Sequence, residues 1–143
     1  MNHACYSLPL KPGRVIQRKK LAKCSLEESI RDHIHLMITS HFRENKYDQT
    51  FGNSIWEYEF SNMLKDHNIR EDIKRSVLRC ITRHEPRLED LRIDIRWLQE
   101  EVADRKIKRL NKLLDINISG IVTVNKKPFT HNEQCYIAPL SYK

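Results

Sequence analysis

Pro86 is the residue that most constrains this chain, because two different periodicities meet on it. Upstream, Ile73, Val77, Cys80/Ile81 and His84 recur at helical spacing. Downstream, Leu91, Ile93, Ile95 and Trp97 alternate with Arg92, Asp94 and Arg96, the period of a half-buried strand. Proline has no backbone N–H and pushes the residue before it out of the helical region. The stretch Glu85-Pro86-Arg87 therefore reads as a joint between helix and sheet, with Glu85 held extended. Two readings of it stand side by side. It is a helix stop flanked by solvated charges, or it offers two charged groups to a partner across a stiff ring.

The rest of the chain reads as helices first and strands afterwards, an α+β order in which N-terminal helices pack on a C-terminal, mainly antiparallel sheet. Ser25-Leu26-Glu27-Glu28 has the form of a capping box, and Leu26, Ile30, Ile34, Met37/Ile38 and Phe42 follow as one apolar stripe. His33, Met37 and His41 lie along a neighbouring face, as boundary residues. Phe51-Gly52 reads as a loop, and Ser54 to Phe60 as a short aromatic turn giving Ile55 or Trp56, with Phe60, to the core. Asn68 with Glu71 reads as the cap of the next helix. A strand is expected over Leu91 to Leu98. Gln99 to Lys112 fits either a helix or a long solvated hairpin. Leu114 to Val124 alternates again, with a bulge or bend at Gly120. Asn125 to Pro128 is a turn, and Cys135 to Ala138 a last strand.

Composition bounds the partners. The chain has 143 residues, 39% hydrophobic, with a net charge of +7. That is one domain with a real core, and the charge raises nucleic acid as a partner. Yet residues 1–24 contain no acid and carry six basic residues, which accounts for all but one of the net positive charges. Residues 1–24 are thus expected to be a mobile or partner-ordered basic arm, and 25–143 the folded domain. The arm is either solvated or docked on an acidic surface. No apolar run reaches membrane-spanning length and Met1 to Gly13 lacks a signal-peptide core, so a cytoplasmic protein, or one exported by a non-classical route, is expected. Cys5, Cys24, Cys80 and Cys135 are scattered without a C-x-x-C pair. Cys80 and His84 share a helix face, but two ligands do not close a zinc site. No metal and no cofactor is expected.

Glu85-Pro86-Arg87, set after a helix and before an alternating strand, resembles the signature triplet of the phage-tail baseplate wedge or sheath-initiator family, also called lysozyme-like. Its type VI secretion member is the baseplate subunit TssE. The resemblance covers roughly Ser25 to Pro139. A second element is Phe51-Gly52, its glycine eight residues after Glu44. The family loop usually reads glycine-glutamate-arginine, then proline, then phenylalanine-glycine. Here Arg43, Asn45 and Gln49 stand for the glycine, the arginine and the proline, which marks a divergent branch.

The resemblance implies a structural baseplate component of a contractile injection machine, docked near the inner membrane. Its implied partners are wedge subunits (TssF/TssG-like) and contractile sheath subunits (TssB/TssC-like). It implies that Glu85, Pro86 and Arg87 dock on the helical core of the wedge. It also implies that the sheet resembles the sheath-interlocking domain and templates the first sheath ring by strand exchange. An exposed edge is needed for that. Ile116, Ile118, Val122, Val124 and Tyr136, on the two late strands, are the candidates. Replacing Arg87 is expected to leave the isolated fold intact. Hydrolysis is not expected, because Arg83 and Arg87 beside Glu85 favour its ionised form rather than a protonated acid. The alternative is a small basic nucleic-acid-binding module using the arm and the 105–112 basic segment.

Overall fold

A computed structural model describes the backbone of residues 4–58, 67–104 and 107–137, and the side chains of these except 99–111. Strand β1 (Cys5–Tyr6), helix α1 (Pro12–Ile16) and strand β2 (Lys23–Cys24) come first, followed by α2 (Leu26–Thr39). A short 3-10 turn (Ile55–Tyr58), α3 (His67–His84), β3 (Leu88–Asp104), β4 (Ile107–Val122) and β5 (Pro128–Tyr136) complete the order. This is the expected α+β class, with the helices ahead of an antiparallel three-stranded sheet ordered β3-β4-β5.

The capping box forms as its spacing predicts. Ser25 Oγ accepts from the Glu28 amide at 3.1 Å, and Glu28 takes the Ser25 N–H at 2.8 Å. Ile30, Ile34, Met37 and Ile38 then bury one face of α2. They meet Ile73, Val77, Cys80 and Ile81 of α3 and the inner face of the sheet, including Ile93, Ile95, Ile116, Ile118 and Val122. The outer face is polar. There Asn132 bridges Asp115 and Asn117 across β4 and β5 at 2.8 Å each. Alternation along the strands thus separates core from solvent.

Helix α2 stops at Thr39, before Phe42, for a reason remote in sequence. The buried Asn53 amide donates to the carbonyls of Met37 and Ile38 at 2.8 Å each, and Trp56 Nε1 donates to Ile38 O at 3.1 Å. Carbonyls that a helix end leaves open are closed by a loop that returns over it. Asn53→Ala should therefore destabilise the fold by about 2 kcal/mol, since buried carbonyls lose their donors. A urea titration checks this.

Several expected boundaries shift. Helix α3 already includes His67, so Asn68 lies inside its first turn rather than capping it. Ile55 is fully buried as expected; Phe60 lies outside the described residues. Over residues 99–104 and 107–112 the strand pairing of the hairpin reading is what forms: β3 and β4 stay paired out to Asp104↔Ile107. Cross-strand pairing overrides a composition that favours helix. The bulge is not in β4 at Gly120 but opposite it, where Asp90 and Leu91 of β3 face that one residue. A Cβ on Gly120 would sit 3.0 Å from Glu89 O, so the glycine lets the bulged strand approach. The last strand starts at Pro128, not Cys135; Ala138 lies outside the described residues. The basic segment carries regular structure: Cys5 and Tyr6 pair with Cys24 and Lys23, and β1 lies against α2.

Candidate functional site

Helix α3 ends where Glu85 N donates to Ile81 O at 2.8 Å, the last helical bond before proline removes the next donor. The chain turns through Pro86 and Arg87, and Leu88 opens β3 with its N–H 3.3 Å from Glu85 O. The Arg87 carbonyl accepts from Thr123 N at 2.9 Å, which fixes the joint to the turn after β4. Within this turn Pro86 is exposed and Glu85 is not: its relative exposure is 0%. The triplet therefore does not present both charges outward.

Glu85 is satisfied from inside the chain. Arg87 donates to it from Nε and from Nη2, both at 2.6 Å, in a bidentate fork. His33 Nδ1, from the middle of α2, donates at 2.8 Å. Burial alone would push this carboxyl up. The hydrogen bonds from Arg87 and His33, with their charge, outweigh it and hold the pKa at about 2. The hydrogen bond to Glu85 raises the Arg87 pKa in turn. Arg87 Nη1 also donates to Ser29 Oγ at 3.0 Å, so the guanidinium is fixed on three sides while its side chain stays 30% exposed.

The Phe51-Gly52 loop belongs to the same cluster. The Phe51 ring lies between His33, stacked at 6.0 Å, and His84, edge-on at 5.2 Å. His84 is 3.2 Å from Thr50 Oγ1, and Gly52 N donates to Cys80 Sγ at 3.4 Å. Gly52 has φ +112°, and a Cβ there would sit 2.6 Å from His41 O, so no other residue fits without strain. Arg43 takes φ 68°, a left-handed conformation that residues other than glycine adopt uncommonly.

Sequence reasoning found the triplet and the loop but not their junction. His33 and Ser29 share its face of α2, fifty-two and fifty-eight residues from their partners. The signal was their i, i+4 spacing beside the apolar stripe. The strand-exchange candidates fall at different places in the sheet. Ile116 and Ile118 are buried in β4, the central strand, which pairs with β3 on one side and β5 on the other. Val122 is buried at the end of that strand, and Val124 lies exposed in the turn beyond it. Their backbones are not at a sheet edge. Tyr136, 59% exposed, is on an edge strand, β5.

Among the described residues no group of three or more His, Cys, Asp or Glu is placed to hold a metal. No helix among them is long and apolar enough to cross a membrane. A crystal structure of a Geobacter sulfurreducens protein, provisionally assigned as a tail lysozyme, shares the fold. Its TM-score is 0.57 at 20% identity, over 86% of this chain and all of that one. A comparison with curated proteins finds no match. The family model described as "Baseplate wedge protein gp25" matches residues 24–127, from the end of β2 to the turn before β5. That span holds the capped helix, the Phe51-Gly52 loop, the buried triplet and the central strand, and the chain belongs to the baseplate wedge protein gp25 family.

Proposed function

We propose that this chain is a structural component of a contractile injection machine of the type VI secretion kind, joining the wedge to the first sheath ring. The observation that carries the reading is the Glu85–Arg87–His33 cluster. An arginine held by a buried carboxylate and a serine hydroxyl stays 30% exposed, beside the exposed Pro86. A fork whose orientation is already fixed loses less entropy on docking. Pro86 and Arg87 are the proposed contact on the helical core of the wedge (TssF/TssG-like), with Glu85 as the buried holder of Arg87.

The outer edge of β5, ending near Tyr136, is the proposed seat for a strand of the sheath (TssB/TssC-like). β5 is an edge of the three-stranded order, and strand addition needs such an edge. The test is co-purification of the tagged chain with wedge and sheath proteins of its own machine. Binding to neither, together with DNA binding that weakens steeply with salt and needs the arm, would support the nucleic-acid reading instead.

The reading is non-enzymatic. A glycosidase acid needs a raised pKa and access to substrate, whereas Glu85 is buried with a pKa of about 2. Glu89 is paired with Lys126 at 2.5 Å. Purified protein is expected to clear no peptidoglycan from acid to neutral pH. Turnover abolished by Glu89→Gln or Asp90→Asn would contradict this.

A further inference from the structure

We propose that Cys5 and Cys24 form a reversible intramolecular disulfide, a modification site that fastens the basic N-terminal arm to the start of α2. The two residues are direct partners in the antiparallel β1–β2 pairing. Residues so placed have Cα atoms about 4.5–5.5 Å apart and side chains on one face. A disulfide spans about 4.4–6.8 Å between Cα atoms, so directly paired positions of this kind fall within its span.

The other two cysteines are set apart by burial. Cys80 and Cys135 are 4% and 5% exposed within the core, and burial pushes the Cys135 thiol up to about 12. Cys5 and Cys24 are half-buried, within reach of a small disulfide. Burial raises the Cys24 pKa, with Cys5, Glu28 and Asp32 adding to it and Arg87 opposing. Its exchange is therefore expected to speed up as pH rises.

The bond would reinforce a short pairing. β1 and β2 are two residues each, extended by Ser7 N donating to Ala22 O at 3.0 Å. A two-stranded pairing of this size is marginal by itself. Between the cysteines the chain carries Lys11, Arg14, Arg18, Lys19 and Lys20, all exposed. Oxidation would hold this basic loop closed covalently, and reduction would leave it on the β1–β2 pairing and the contact of β1 with α2.

Oxidised glutathione is a sufficient oxidant. One cysteine thiolate attacks its disulfide and expels one glutathione thiolate, leaving a mixed disulfide. The second cysteine attacks the protein-side sulfur and expels the other glutathione. Two protein thiols are oxidised, one glutathione disulfide is reduced, and the two thiol protons pass to the released glutathiones.

The experiment uses the full reduced chain with excess oxidised glutathione at mildly alkaline pH. Thiol titration under denaturing conditions should show two of the four thiols lost. Intact mass should fall by two hydrogen atoms with no adduct, and non-reducing peptide maps should join Cys5 to Cys24. Trypsin cuts at the arm's basic residues should then release the N-terminal fragment only after reductant is added. Cys5→Ser and Cys24→Ser should each abolish the link. Retention of all four thiols, stable glutathione adducts, dimers joined through these cysteines, or a link to Cys80 or Cys135 would overturn the proposal.

Discussion

Between about pH 5 and pH 2 the wild-type protein should lose about 3 kcal/mol of stability that a Glu85→Gln variant does not lose. Glu85 has a pKa of about 2 in the folded chain against an ordinary 4.5. As pH falls, the unfolded chain takes up this proton first. The carboxylate's contribution is therefore complete above the unfolded value of 4.5 and is lost on the way down to about 2. Glu85→Gln should be the weaker protein at neutral pH, and the gap should narrow on acidification. Denaturant midpoints across that range measure it. Parallel curves for the two proteins would mean that Glu85 is not held ionised in the fold.

Arg87→Ala should cost about 3–5 kcal/mol at neutral pH, since removing one partner leaves a buried charge uncompensated. This reverses the expectation from sequence, in which Arg87 is a solvated or partner-facing charge whose loss leaves the fold alone. The reversal follows from the 0% exposure of Glu85. After truncation the carboxylate keeps His33 but loses both bonds of the fork. For a domain this size the thermal midpoint should fall by on the order of 10 °C. Arg87→Lys should recover part of the loss, because an ammonium restores charge but not paired bonds. A drop below about 0.5 kcal/mol for Arg87→Ala would place Arg87 among ordinary surface residues.

Local chemistry was legible in this sequence and tertiary chemistry was not. The Ser25–Glu28 cap and the stripe from Ile30 to Ile38 depend on residues three and four apart, and both form as read. The helix-to-strand switch at Pro86 was equally legible, because one residue's covalent geometry imposes it. What could not be read is where Glu85 points. An acid flanked by arginines in sequence looks solvated; only the return of α2 brings His33 over it. Asn53 is a similar case, an unremarked loop residue until its amide meets the end of α2. The strand pairing of 99–104 with 107–112 was ambiguous for the same reason, since the partner strand, not a segment's own residues, decides its conformation. Edge and centre of a sheet are set by strand order, so the central position of Ile116 and Ile118 could not be read from their alternation alone.

If the buried Glu85 fixes Arg87 as a ready-made contact for the wedge, calorimetric titration of the wedge subunits should separate wild type from Arg87→Lys, at a temperature where circular dichroism shows both folded. Lysine keeps the charge but lacks the planar fork, so the affinity should fall by about tenfold or more. Equal affinity for the two proteins would contradict it, and would leave the cluster as an internal clamp between α2 and the joint.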